Sequence, residues 1–401
     1  MVGLSTAWFL QEQGIDVTVV DRKGVAAGSS WGNAGWLTPG LAIPLPDPAV
    51  LSYGLRALLR PSSPVYVAPT LSPRLITFLL QFLGNSTAER WQQGMAHLVP
   101  VNGLALESFD ALAAGGVTGR TKPTDDFVAG FRTADDRRAL LDELRHIEAA
   151  GQEIDFAELS GDEVRQIVPA LSEQIGAGIR LRGQRFVDPG DFVHRLGESV
   201  VARGGTLVAG HDVVDVVDVQ GKVVVRAEDG ELGRFDAAVL ASGAWLGRLA
   251  RRHGVTKIVQ AGRGYSFSVA MDEVPSGPVY LPTQRVACTP LGDRLRVAGM
   301  MEFRSPDAAL DARRVKAIVD ATRPLLRGVD FDDRRDTWVG SRPCTSDGLP
   351  IIGATKTPNV YVAGGHGMWG ITLGPATGRL LAEQIASGAR PAVLEPFDPL
   401  R

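Results

Sequence analysis

Several separated stretches carry residues able to hold or transform a small charged molecule. Near the C-terminus Gly364, Gly365, Gly367 and Gly370 crowd ahead of an apolar-periodic run from Ile371 to Ile385. Glycines let backbone approach a flat ligand, and a helix starting there aims N–H groups and its positive dipole end at developing negative charge. Pro375 falls near that start, where proline is tolerated. At the other end Gly3 precedes a ten-residue helix, a Gly14 turn, the run Val17-Thr18-Val19-Val20 and then Asp21, eighteen residues beyond Gly3. A dinucleotide-binding unit has this order, with glycine for close pyrophosphate approach and the acid for ribose hydroxyls. Only the last glycine of the usual G-x-G-x-x-G is present, and a plain helix–strand hairpin with a charged end fits the same residues. Arg342, in Gly340-Ser341-Arg342-Pro343, offers a rigid two-pronged donor suited to a carboxylate. An ordinary surface ion pair is the alternative.

Positioning these groups needs alternating helices and strands. Leu4–Gln13 and Asp16–Asp21 form the αβ half of a βαβ unit, with no strand ahead of it. The Gly- and Pro-rich stretch 31–48 is loop, and 51–59, 71–83 and 88–114 read as helices broken by proline-bearing turns. A strand over 124–132 and an amphipathic helix over 135–150 follow. Ser160-Gly161-Asp162-Glu163 opens a capped helix. After a helix over 191–203, Gly204-Gly205 gives way to a strand over 206–209. Val213–Val219 and Lys222–Ala227 bracket a Gln220-Gly221 turn, and Phe235–Leu240 is a buried strand running into Ser242-Gly243. Further strand pieces over 258–289 and 295–302 precede a helix over 308–326.

The 401 residues suit two domains, or one with a large interleaved insertion. A composition of 44% hydrophobic and 22% charged residues is that of a globular protein. A net charge of −3 without a basic run argues against nucleic-acid binding. Cys288 and Cys344 make no disulfide framework, which fits a reducing cytoplasm, and no metal site is indicated. Leu75–Leu83 is interrupted by Thr77 and Gln81 and is far short of the roughly 20 apolar residues of a membrane span. The N-terminus does not read as a secretory leader. Peripheral contact of the 71–83 helix with the inner face of the cell membrane stays an open reading beside a core or subunit-contact helix.

Taken in order, VGLSTAWFLQEQG, VTVVDR, GSSWGNAGW, FVDPGDFVHRL, VLASGAW, GSRPCTSDGLPIIG and GGHGMWGITLGPATGRLLAEQI resemble the glycine oxidase and D-amino-acid dehydrogenase family of flavoproteins. The resemblance implies α/β plus α+β architecture: a Rossmann-type FAD-binding domain with an interleaved antiparallel-sheet substrate domain. Residues 1–50, 155–245 and 335–401 would form the former, and 51–154 and 246–334 the latter.

Carried over by residue, Gly3 would belong to the pyrophosphate turn of noncovalent FAD, Asp21 would hold the ribose and Arg22 would neighbour the adenosine. Gly28, Ser29 and Ser30, then Asn33, Ala34, Gly35 and Trp36, would line its pyrophosphate and flavin side. Val213 would meet the adenine, Ser242 and Gly243 the pyrophosphate, and Gly340, Gly365, Gly367, Met368, Trp369, Gly370, Ile371 and Thr372 the flavin. Arg342 would clamp the substrate carboxylate, with Tyr265, or less so Tyr280, as roof. His366 would be a second-layer histidine or a base, although hydride transfer from an amino acid with a neutral amine requires no base. The implied activity is oxidative deamination of a small amino acid, D-configured or N-substituted and proline-like. The electron acceptor would be a quinone, a protein or O2. A sarcosine- or glycine-type oxidase and a non-catalytic Rossmann subunit of a larger dehydrogenase are the alternatives. The sequence carries no sign of oligomeric state. The absent first strand and glycine pair carry the expectation of a start about ten residues upstream of Met1, given the strand such a unit needs; a degenerate, inactive protein is the other reading.

Overall fold

A computed structural model describes residues 1–48, 63–68 and 71–401; the helix expected over 51–59 lies outside them. The first helix, α1 (Val2–Glu12), buries Leu4, Ala7, Trp8, Phe9 and Leu10, and Gly14 turns the chain with φ +72°. Helix α1 lies against the C-terminal helix α10 (Gly370–Ser387), so closely that a Cβ on Gly378 would sit 2.6 Å from the backbone of Ser5 and Thr6. Strand β1 (Thr18–Asp21) pairs in parallel with β9 (Thr206–Ala209). Strand β13 (Ala238–Leu240) pairs in parallel with β20 (Val360–Gly364), whose other edge takes β19 (Ile351–Ala354) antiparallel. These two parallel ladders share no backbone hydrogen bonds among the described residues. Apolar packing joins them through α1 and its neighbours: Val19 belongs with Leu4 and Trp8, and Val2 with Val239 and Leu380.

The second layer is a nine-stranded sheet. Its path runs β18 (Val329–Thr345), β14 (Val259–Met271), β17 (Arg294–Phe303), β16 (Val286–Leu291), β15 (Val279–Leu281), β5 (Phe127–Phe131), β7 (Ala177–Arg182) and β6 (Asp155–Ser160), with β3 (Val65–Val67) joining on β17. Alternation gives this sheet two faces. Tyr265, Phe267, Val269, Cys288, Leu295 and Val297 fill a core with α6 (Gly161–Ile167) and α9 (Ala312–Thr322). The opposite face turns toward the 31–36 loop, since Ser266 Oγ donates to Gly32 O at 2.8 Å. Strands β10 (Val213–Val219), β11 (Lys222–Ala227) and β12 (Gly230–Phe235) form a small antiparallel addition.

The expected cap forms, with Ser160 and Glu163 closing a capping box on α6; Thr133 and Asp136 close a second one, on α5 (Ala134–Ala149), that was not singled out by sequence. The 88–114 stretch divides into α3 (Ala88–Gly103) and α4 (Ala105–Ala114), and the helix expected over 308–326 narrows to α9 because 304–311 bends, turns at Pro306-Asp307 and runs as coil to the N-cap Asp311. The 155–245 block is split: β6 and β7 belong to the large sheet, because their ladder with β5 runs from Asp155 to Arg182. In α2 (Pro73–Asn85), Leu75, Phe78 and Phe82 point inward while Ile76, Leu80 and Leu83 are exposed, as is Leu71 ahead of it. Among the described residues no helix is long and apolar enough to cross a membrane.

Candidate active site

Arg342 lies on β18 opposite Gly262 of β14. Its guanidinium lies against Gly264, where a Cβ would come within 2.3 Å of Nη2; only glycine leaves that surface flat. Its Nη1 donates to Met300 O at 2.7 Å. Met300 is the extra residue of a bulge: Tyr265 pairs with Gly299 and Arg263 with Glu302, and Met300 takes φ +68°. Held against residues of low polarity, Arg342 has its pKa lowered by burial. Among the described residues no carboxylate lies within ion-pair distance of it. A cation so placed, retaining some surface, is prepared for an anionic partner.

From Arg342 the site face runs across the sheet through one cross-strand row, Trp338, Ser266, Ala298, Ala287, Tyr280 and Ala129. Small side chains occupy its middle, and the 31–36 loop sits on this face, where Ser266 Oγ donates to Gly32 O and Thr289 Oγ1 to Ala34 O. Trp36 stands edge-on to Tyr280 at 5.4 Å and to Phe127 at 4.7 Å between centroids, with Nε1 donating to Thr289 Oγ1 at 2.9 Å. Thr372 Oγ1 donates to Trp36 O at 2.9 Å, tying this loop to the start of α10.

Tyr265 does not join Arg342. It is 1% exposed on the opposite face, and its hydroxyl donates to Glu302 at 2.6 Å. Burial and that carboxylate push it up to about 12. Tyr280 lies on the Arg342 face. His366 is buried, its Nε2 2.8 Å from Thr377 Oγ1, and burial above all, with the nearby Met1 amine, pushes it down to about 4. It is neutral at physiological pH.

Asp21 Oδ1 accepts from Lys23 N and Gly24 N, both at 2.8 Å, and Asp21 O accepts from Gly210 N. Ser29 Oγ donates to Ser341 O at 2.5 Å, beside Gly340, over which the Trp338 ring folds. Gly28 and Gly243 have open space where a side chain would stand, Ser30 O accepts from Asn33 N, and Asn33 Oδ1 accepts from Gly35 N at 2.8 Å. Ala34 O accepts from Thr289 Oγ1. Val213 O accepts from Arg248. Gly367 N donates to Pro343 O, Trp369 Nε1 to Ile43 O, Met368 packs toward Phe78 and Cys344, and Gly370 and Ile371 open α10. Gly3 lies under β13, its absent Cβ 3.2 Å from Ala241.

Three features fit a dinucleotide. Ser242 Oγ and His366 Nδ1 are buried and have no hydrogen-bond partner among the described residues. Gly35, Gly243, Gly365 and Gly367 hold left-handed backbone. A cleft of about 380 Å³ opens at Arg22, Lys23, Gly210, Asp212, Glu228, Asp229 and Asp307, and Arg342 is not among its lining residues. Two residues there were not singled out by sequence: Trp245, on which the Arg22 guanidinium stacks at 3.8 Å, and Asp307, whose carboxylate accepts from Trp245 Nε1 at 3.1 Å. Trp245 ends the VLASGAW motif, which is the one sequence clue to it.

Residues 1–384 match the family described as FAD dependent oxidoreductase. The chain is 31% identical over 405 residues to a D-amino acid dehydrogenase of Methylobacterium radiotolerans, covering 98% of this chain and 95% of the relative. It is likewise 31% identical over 412 residues to one of Vibrio vulnificus, covering 99% and 97%. Among solved structures, glycine oxidase of Geobacillus kaustophilus superposes with TM-score 0.73 at 21% identity over 100% of this chain and 96% of that one. That of Bacillus cereus gives 0.72 at 18% over 99% and 95%; both likenesses concern the fold.

Proposed function

The chain belongs to the FAD-dependent oxidoreductase family, is an FAD-dependent amino-acid oxidoreductase, and on that premise we propose that it oxidises the Cα–N bond of a D-amino acid. The observation that carries this reading is Arg342, a desolvated guanidinium without a carboxylate partner on the face that meets the 31–36 loop. Its planar fork would take the substrate carboxylate. Tyr280, Ala287 and Ala298 would border the side chain, and Trp36 would limit the depth of the site. The relatives named D-amino acid dehydrogenase support the stereochemical choice; small, N-substituted and proline-like compounds belong in the same panel.

FAD, when bound, supplies a two-electron acceptor for the hydride leaving Cα. The protein's own part is orientation. Arg342 fixes one end of the substrate, so that Cα is presented in a defined direction. The start of α10, beyond Gly365 and Gly367, points N–H groups at the site, where they favour negative charge. His366, pushed down to about 4 by burial, lacks the second ring proton of an imidazolium at physiological pH and serves through its bond to Thr377 as a brace between the segment after β20 and α10. The oxidised product is an imine, which water hydrolyses to a keto acid and ammonia. Cys344 is buried and its thiol pushed up to about 12, which supports noncovalent FAD. Electrons leave to a quinone, a protein or dioxygen, and the relatives named dehydrogenase favour the first two. The outward row Leu71, Ile76, Leu80 and Leu83 supports a peripheral contact with the inner membrane surface, where a quinone would serve.

Anaerobic addition of D-amino acids to the yellow holoprotein should bleach its visible bands, and a dye acceptor should restore them. Arg342→Ala should lose roughly 2–5 kcal/mol in kcat/KM, the scale for removing one member of a buried charge pair. A variant with unchanged kcat/KM removes Arg342 from the site, and a holoprotein that no amine bleaches removes the activity.

A further inference from the structure

The segment 304–311 leaves the large sheet after β17 and crosses to the adenosine end of the cofactor site before returning as α9. Its tip is Asp307. Both carboxylate oxygens accept from Trp245 Nε1, at 3.1 and 3.2 Å, and Oδ1 lies 3.7 Å from the Arg22 guanidinium. Of the residues around the cleft, Arg22 and Lys23 follow β1, Gly210 and Asp212 follow β9, and Glu228 and Asp229 lie between β11 and β12; Asp307 alone is delivered from the large sheet.

The segment is anchored firmly at its base. Arg263, fully buried on β14, donates from Nη2 to Ala308 O at 2.6 Å and Ala309 O at 3.0 Å, and pairs with Glu302 at 3.3 Å. Tyr265 donates to the same carboxylate. Gln260 Nε2 donates to Arg304 O at 3.0 Å, and Ser341 Oγ to Pro306 O at 3.1 Å. The core face of the sheet therefore grips a strap whose exposed tip stands in the cleft.

We infer that Asp307, with the Trp245–Arg22 stack, is an adenosine-binding element of the FAD site delivered by the large sheet, and that Tyr265, Arg263 and Glu302 are its positioning residues. Adenine offers an amino donor and a flat π face, and the ribose offers hydroxyl donors. A carboxylate beside a stacked aromatic and guanidinium pair matches both. Of the acids around the cleft, Asp212 pairs with Arg248, Asp229 with His211 and Asp307 with Arg22, so opposite charges largely offset one another there, which suits an uncharged nucleoside. The inference rests on FAD as the cofactor and adds the strap to its site.

The test uses the full-length holoprotein and competition against bound FAD by ADP, which carries the adenosine half, and by FMN, which carries the flavin half. Asp307→Ala should weaken FAD and ADP by about tenfold and leave FMN unchanged. Asp307→Asn, which keeps an acceptor oxygen, should fall between that variant and the parent. Because Asp307 is exposed, neither change should move the thermal midpoint of the flavin-free chain. An ADP affinity within twofold of the parent's, or an equal loss for FMN, overturns the inference while leaving the amino-acid chemistry standing. A parent chain that takes up neither FAD nor ADP overturns both.

Discussion

His366 binds Thr377 through Nε2 and is pushed down to about 4 by burial, whereas an unfolded histidine titrates near 6.5. As pH falls from 6.5 the unfolded chain takes the proton first, so native stability drops through that window and levels off below about 4. The loss from this group approaches roughly 3 kcal/mol at most. Urea midpoints measured between pH 7 and 4 should fall more steeply in the parent than in His366→Asn; parallel slopes would remove the histidine as the cause. At this scale the sequence was informative where chemistry follows residue type: a guanidinium in a glycine-bounded strand, an acid at a strand end, and glycines before a helix were all visible by spacing. Asp307 was not, because its meaning comes from Trp245 and Arg22, which no local pattern links to it.

A strand's face is decided by register, and that made the two tyrosines illegible. Tyr265 adjoins Gly264 in sequence, but pleating sends them to opposite sides, so the glycine meets Arg342 and the tyrosine meets Glu302. Tyr280 reaches the Arg342 face only through the chain of pairings across β15, β16 and β17, none of which is encoded locally. The Met300 bulge is of the same kind, since a left-handed methionine has no sequence signature. Gly264→Ala tests this arrangement. Its methyl group must displace the guanidinium, the flexible end of a side chain, so the thermal midpoint should change little while kcat/KM for an amino acid falls at least about tenfold, or roughly 1.4 kcal/mol. Retention of full kcat/KM would mean that Arg342 can serve from another position.

Over the whole molecule the sequence showed the αβ unit, the Ser160 cap and the C-terminal helix, because each is a local pattern of period, cap and turn. It did not show which strands form the nine-stranded sheet: β6 and β7 read as part of the nucleotide-binding block until their ladder with β5 is seen. Nor did it show the length of β18, whose charged first half, Asp330 to Asp336, lacks strand composition and is recruited by pairing with β14.

Both cysteines lie in this framework, Cys288 in the core between β15 and β17 and Cys344 where β18 meets the loop bearing His366. Burial raises each thiol to about 12, leaving almost no thiolate to attack an alkylating reagent. Maleimide should therefore label neither cysteine in the native protein, and the appearance of label during mild denaturation would clock the opening of the large sheet at two known positions. Labelling that proceeds at the speed of a free thiol in the absence of denaturant would show that the sheet opens under native conditions.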